Sequence, residues 1–201
     1  MRIVAGEYRG RQLKSPTWEG LRPTSDRLRE TLFNILGPSV RGARVLDGFA
    51  GTGAIGIEAL SRGASHVTFI ENDSRAVTLI EANLASLGLG RDGPREGSHA
   101  IIRAGFTDAA RQWPAGDFDL IVLDPPYGAT AAADAIAAAH ALVTAGTRLV
   151  IEHATRHAPP AEQSGLRLQR TVKAGDSSLS FYARVEGETD ASDDHTHLEH
   201  P

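Results

Sequence analysis

Arg44-Val45-Leu46-Asp47-Gly48-Phe49-Ala50-Gly51-Thr52-Gly53-Ala54-Ile55-Gly56 decides the fold class. A short apolar run passes through a glycine-rich turn into a helix that the spacing carries to about Leu60. Gly51, Gly53 and Gly56 form G-x-G-x-x-G, the dinucleotide fingerprint, and Glu71 follows at about the expected distance. Two details argue against a dinucleotide. Asp47-Gly48-Phe49-Ala50 separates the strand from the first of these glycines. Asp47 would also repel a pyrophosphate held over the helix N-terminus. It would attract the ammonium of S-adenosylmethionine instead. Glu71, closing the next strand, can accept from both ribose hydroxyls. Gly51 and Gly53 let the backbone approach a cofactor without a Cβ in the way. Phe49 and Asn72 belong to the same candidate pocket, and Gly105 and Phe106 are expected near the adenine.

A second stretch, Leu120-Ile121-Val122-Leu123-Asp124-Pro125-Pro126-Tyr127, reads as a buried strand that stops abruptly. Neither proline has an N–H to donate, so pairing cannot continue. Asp124, the Asp124 and Pro125 carbonyls and the Tyr127 ring are left at the C-terminal lip, where open α/β sheets bind ligands. A carboxylate and a carbonyl there can accept both hydrogens of an exocyclic amine while the ring stacks on its base.

Further strands are expected at 67–70, 100–103, 118–123, 148–151, 167–172 and 179–185. Helices are expected from Asp73 or Ser74 to about Leu87, and over 131–142. This alternation gives an α/β fold with a mostly parallel, seven-stranded, doubly wound sheet ending in an antiparallel hairpin. Ahead of it, two short extended runs flank Gly6-Glu7-Tyr8-Arg9-Gly10 as a β-hairpin. Thr24 or Ser25 then caps a helix to about Leu36, with Leu28, Leu32, Ile35 and Leu36 on one face.

Net charge is −4, yet residues 1–41 carry +4 and residues 186–201 carry −6. Three regions are expected: 1–41, a hairpin and helix expected to bind RNA; 42–185, the main domain; and 186–201, an acidic disordered tail. Arg2, Arg9, Arg11 and Lys14 are candidates for phosphate contacts. Arg22, Thr24 and Arg27 are expected nearer the catalytic cleft, with Thr24 as a wall of the cofactor pocket. The chain has no cysteine, which excludes disulfides, Cys-ligated zinc and the thiolate that pyrimidine C5 methylation ordinarily uses. No functional metal site is expected, the tail histidines included. No apolar run is long enough to cross a membrane and no signal-like core follows Met1, so a cytoplasmic protein is expected.

These residues resemble the bacterial guanine-N2 methyltransferases of 16S ribosomal RNA, over roughly residues 1–185. The specific segments are Met1-Arg2-Ile3-Val4-Ala5-Gly6, Tyr8-Arg9-Gly10-Arg11, Leu21-Arg22-Pro23-Thr24 and Arg27-Leu28-Arg29-Glu30-Thr31-Leu32-Phe33-Asn34. The glycine loop and Asp124-Pro125-Pro126-Tyr127 are shared more widely, among methyltransferases acting on exocyclic amines. The resemblance implies a class I (Rossmann-like) methyltransferase sheet, S-adenosylmethionine as methyl donor and a guanine presented within the small ribosomal subunit. A monomer is expected. In this reading Asp124 and the Pro125 carbonyl turn the amine lone pair toward the methyl group, and Tyr127 fixes the base plane. Adenine N6 or cytosine N4 fits the same lip. An NAD-dependent oxidoreductase and a non-catalytic RNA-binding protein are alternatives of other classes, opposed by the Asp47–Ala50 spacer and by the intact Asp124 and Tyr127.

Overall fold

The computed structural model describes residues 1–19, 24–90, 98–126 and 130–185. Arg22, Tyr127 and the tail at 186–201 lie outside the described residues. One sheet organises the chain, in the order β3-β2-β1-β4-β5-β8-β7-β6. Its parallel part comprises β3 (His99–Arg103), β2 (His66–Glu71), β1 (Arg44–Gly48), β4 (Leu120–Leu123) and β5 (Arg148–Ala154). Antiparallel β8 (Ser177–Arg184), β7 (Leu166–Ala174) and the two-residue β6 (Glu162–Gln163) complete it. The sequence pattern anticipated seven strands; β6 is the eighth, too short to carry a periodic signal. β5 also runs three residues further than its apolar core suggests, because β8 pairs with Glu152, His153 and Ala154.

Strand order reverses between β1 and β4, and such a switch point opens a crevice at the C-terminal strand ends. α1 (Asp26–Leu36), α2 (Ala54–Ser61) and α3 (Ser74–Ser86) cover one face of the sheet, packing with Val45, Phe69, Val122 and Val150. α4 (Phe106–Ala110) and α5 (Ala131–Ala139) cover the other, over Leu46, Ile70, Ile121 and Ile151. The short α4 was not evident from spacing. Among the described residues no helix is long and apolar enough to cross a membrane.

The front segment folds back on itself: Ile3 N–H donates to the Arg11 carbonyl (3.0 Å) and Gly10 N–H to that of Ile3 (2.9 Å). It is fastened to α2. All eight residues of α2 are buried, and the one carboxylate among them, Glu58, accepts from Val4 N–H (2.8 Å), Ala5 N–H (2.9 Å) and Arg62 Nε (2.8 Å). Gly6 sits so close to the end of this helix that a Cβ would lie 1.9 Å from the Ser61 carbonyl oxygen, and its φ of +88° also requires glycine. Asn83 on α3 accepts from Lys14 N–H (2.8 Å) and donates to the Lys14 and Thr52 carbonyls (both 3.3 Å). α1 starts at Ser25, whose Oγ accepts from Leu28 N–H (3.1 Å). Arg29, counted among the basic front residues, is not at the surface. It is fully buried, bonded to Asp26 and the Arg2 carbonyl, with Glu58 at 3.6 Å. That ion pairing accounts for its burial.

Glu58→Ala leaves two backbone donors and a buried guanidinium without their acceptor. The expected cost is about 3–5 kcal/mol in urea unfolding. A loss below about 1 kcal/mol would mean the front segment is held by its apolar contacts alone.

Candidate active site

The site is built from strand ends. β1 ends in Asp47 and Gly48, β2 in Glu71, and β4 stops at Leu123, one residue before Asp124. These three strands are neighbours, so three carboxylates reach the same end of the sheet. Asp47 is buried, 2% exposed, and accepts from Gly56 N–H in the first turn of α2 (2.9 Å). Burial pushes its carboxyl up to about 7, the Gly56 bond opposes the shift, and the charges of Asp124 and Glu71 add to it. Among the described residues no group of carboxylates and histidines is gathered closely enough to hold a metal ion.

Glu71 spans the loop below it. One oxygen accepts from Gly51 N–H and the other from Asp73 N–H, both at 2.8 Å. A carboxylate offers about four acceptor positions, so roughly one per oxygen remains for a ligand. Gly53, at φ +74°, opens α2 in the left-handed region. The third glycine of the motif has a different task. A Cβ on Gly56 would meet the Phe69 ring at 2.3 Å, so Gly56 lets α2 seat against β2.

The other expected cofactor residues divide. Asn72 is exposed beside Glu71, and Phe49 is partly buried, its ring centroid 5.3 Å from that of Phe106. Phe106 itself lies in the core, 3% exposed, under Gly48, where a Cβ would come within 2.7 Å of its ring. Gly105 precedes it as the N-cap of α4.

At the lip Asp124 is partly buried, Pro125 buried and Pro126 exposed. Thr24 Oγ donates to Asp124 at 3.5 Å, which brings the start of α1 to the lip. Beside it lies a pocket with about 390 Å³ of atom-free space, part of it open to solvent, lined by Pro125, Pro126, Ala132, Ala133, Glu152 and His153 among others. Its walls are fixed: Tyr182 hydroxyl donates to the Pro160 carbonyl (2.6 Å), and Gln163 Nε2 to that of Ala133 (3.0 Å). His153 has both ring nitrogens engaged, with the Ala154 carbonyl (3.0 Å) and Ser180 Oγ (2.9 Å). Glu152 escaped notice in the sequence because a lone acid after an apolar strand resembles a loop residue.

Arg2, Arg9, Arg11, Lys14 and Arg27 are all exposed. Arg11 Nη2 is also bonded to the Ser86 carbonyl (2.7 Å), and Arg2 Nε lies 3.6 Å from Asp26.

A family model described as conserved hypothetical protein 95 matches residues 1–183. The chain is 42% identical over 138 residues to ribosomal RNA small subunit methyltransferase D of Haemophilus influenzae, covering 68% of each protein. With the protein of that name from Escherichia coli strain K12 it shares 33% identity over 194 residues, 95% of this chain and 94% of the relative. A solved Escherichia coli structure described as a methyltransferase superposes with a TM-score of 0.77 at 29% identity, over 93% of this chain and 99% of that one. The match runs through the front segment as well as the sheet, and the chain belongs to the family of the ribosomal RNA small subunit methyltransferase D proteins.

Proposed function

We propose that this enzyme transfers a methyl group from S-adenosylmethionine to the exocyclic N2 of a guanine in 16S rRNA of the small ribosomal subunit. The observation that carries the chemistry is the lip: Asp124, followed by Pro125, at the switch point beside the glycine loop. The 16S rRNA substrate rests on family membership and on the printed name of the relatives.

The residues present fit the cofactor. Glu71 keeps acceptor capacity for a ribose diol, Gly51 and Gly53 keep side chains out of the turn, and the acidic strand ends favour a cation. S-Adenosylmethionine supplies, when bound, an electrophilic methyl on a positively charged sulfur. Asp124 and the Pro125 carbonyl accept the two amine hydrogens and so orient the nitrogen lone pair, which is otherwise delocalised into the ring. Alignment of this kind contributes about 7–11 kcal/mol to well-oriented reactions. The methylated nitrogen sheds its proton readily, so no tuned base is required. Tyr127 stacks on the base. Exposed Arg2, Arg9, Arg11, Lys14 and Arg27 contact phosphates, together with Arg22.

The direct test is incubation of the protein with labelled S-adenosylmethionine and small subunits lacking the modification, followed by nucleoside analysis. N2-methylguanine is expected. Methylated adenine or cytosine would reassign the base, and tight NAD binding without transfer would reassign the class. Asp124→Ala should abolish nearly all transfer while cofactor affinity, read by calorimetry, stays near that of the parent. Half the activity surviving at saturating substrate would remove Asp124 from the amine clamp. Neutralising Arg9, Arg11 and Lys14 together should weaken subunit binding and lower its salt slope by roughly one unit per lost phosphate contact. Identical slopes would move RNA recognition off the hairpin.

A further inference from the structure

Glu152 is a carboxylate, 4% exposed, that neither the glycine loop nor the amine clamp employs. Its position is fixed by the sheet. β4 and β5 pair in parallel up to Leu123↔Ile151. Asp124 and Glu152 are therefore the next residues along two neighbouring strands, whose axes lie about 4.8 Å apart. Residues level with one another on parallel strands project from the same face of the sheet. On its far side Glu152 is held by pairing with Leu179 of β8, and it lines the pocket that Pro125 and Pro126 also line.

The bases that carry an exocyclic amine differ in what stands next to it. In guanine the neighbouring ring nitrogen, N1, carries a hydrogen, so the edge offers donors only at these two positions. In adenine (N1) and cytosine (N3) the neighbouring nitrogen carries a lone pair. A second carboxylate beside the amine clamp suits the first pattern and opposes the other two, because a flipped base is read on this edge. Resting on the guanine reading above, we propose that Glu152 accepts the N1–H of the target guanine while Asp124 and the Pro125 carbonyl hold its 2-amine. Glu152 is thus the residue that selects guanine over the other amine-bearing bases.

2-Aminopurine separates this role from a structural one, since it keeps the 2-amine, has a bare N1 and lacks O6. Small subunits would be assembled on 16S rRNA carrying guanine or 2-aminopurine at the methylated position, and kcat/KM compared for the parent and E152Q. The parent is expected to prefer guanine by on the order of 100-fold or more. E152Q can turn its amide NH2 toward a bare N1, so its preference should narrow at least about tenfold. Loss of O6 affects both proteins alike and cancels in that comparison. Equal methylation of both bases by the parent, or the same preference in parent and E152Q, would overturn the proposal. A measurement on the parent alone guards against misfolding of the variant. Subunits with 1-methylguanine at that position should go unmethylated at N2, and methylation at the guanine rate would overturn the proposal independently. Transfer to adenine or cytosine but not to guanine would instead overturn the base assignment on which it rests.

Discussion

Asp47, Glu71 and Asp124 carry like charges to the ends of three neighbouring strands, and the cleft is organised by what keeps them there. Their mutual repulsion is held in check by backbone donors. Asp47 has Gly56 N–H, and Glu71 has those of Gly51 and Asp73. These bonds also define the local backbone: they fix Gly51 in the glycine turn, Gly56 in the first turn of α2 and Asp73 at the cap of α3. An ionised Asp47 remains costly, first because it is buried and then because the charges of Asp124 and Glu71 add to that cost. Asp47 binds its proton far more tightly when folded than a free carboxylate does. Between about pH 4 and pH 7 the folded chain therefore holds a proton that the unfolded chain has lost, and this residue takes stability away as pH rises through that window. A cation in the cleft would offset the cost, and the charge of the proposed donor, S-adenosylmethionine, would in this way enter its recognition.

α2 joins this chemistry to the front of the chain. Its first turn bonds Asp47, while Glu58 and Ser61 near its other end hold residues 4–8. Asn83 on α3 bridges the hairpin strand at Lys14 to Thr52 in the glycine turn. The segment with the exposed cations is thus bonded to the same two helices that shape the glycine turn, and α1 returns to the lip through Thr24. RNA held by the hairpin would be referenced to the reacting centre through packed elements rather than through a linker.

Much of this was legible in the sequence, for reasons that can be named. Asp47 and the glycines were visible because a strand followed by a glycine turn leaves few conformations open. Asp124 was visible because two prolines end a strand without ambiguity. Local hydrogen-bonding chemistry narrowed the α1 cap to Thr24 or Ser25 and the start of α3 to Asp73 or Ser74, and the structure selects Ser25 and Asp73 as the caps. Long-range partners were not legible. For Arg29, only the fold brings it to Glu58, 29 residues away in sequence. Glu58 did leave a signal, a single acid within an otherwise apolar helix, as did Asn83 on the buried side of α3. The Phe106 ring was expected near the adenine because it follows a strand end; its burial at the start of the short α4 was not legible from spacing. Glu152 needed the β4–β5 register, which spacing along one strand cannot supply.

If the acidic strand ends are a cation site, proton linkage reveals it most directly. A bound sulfonium favours the ionised form of Asp47, so binding below about pH 7 should expel a proton. Calorimetry of S-adenosylmethionine binding between pH 5 and pH 7, in buffers of different ionisation enthalpy, reads both affinity and proton release. Affinity should climb across this range, with release approaching one proton at its acidic end and falling to about half a proton near pH 7, where the free carboxyl is half ionised, and Asp47→Asn should flatten both. PH-independent affinity with no proton released by the parent would contradict a cofactor site organised around these carboxylates.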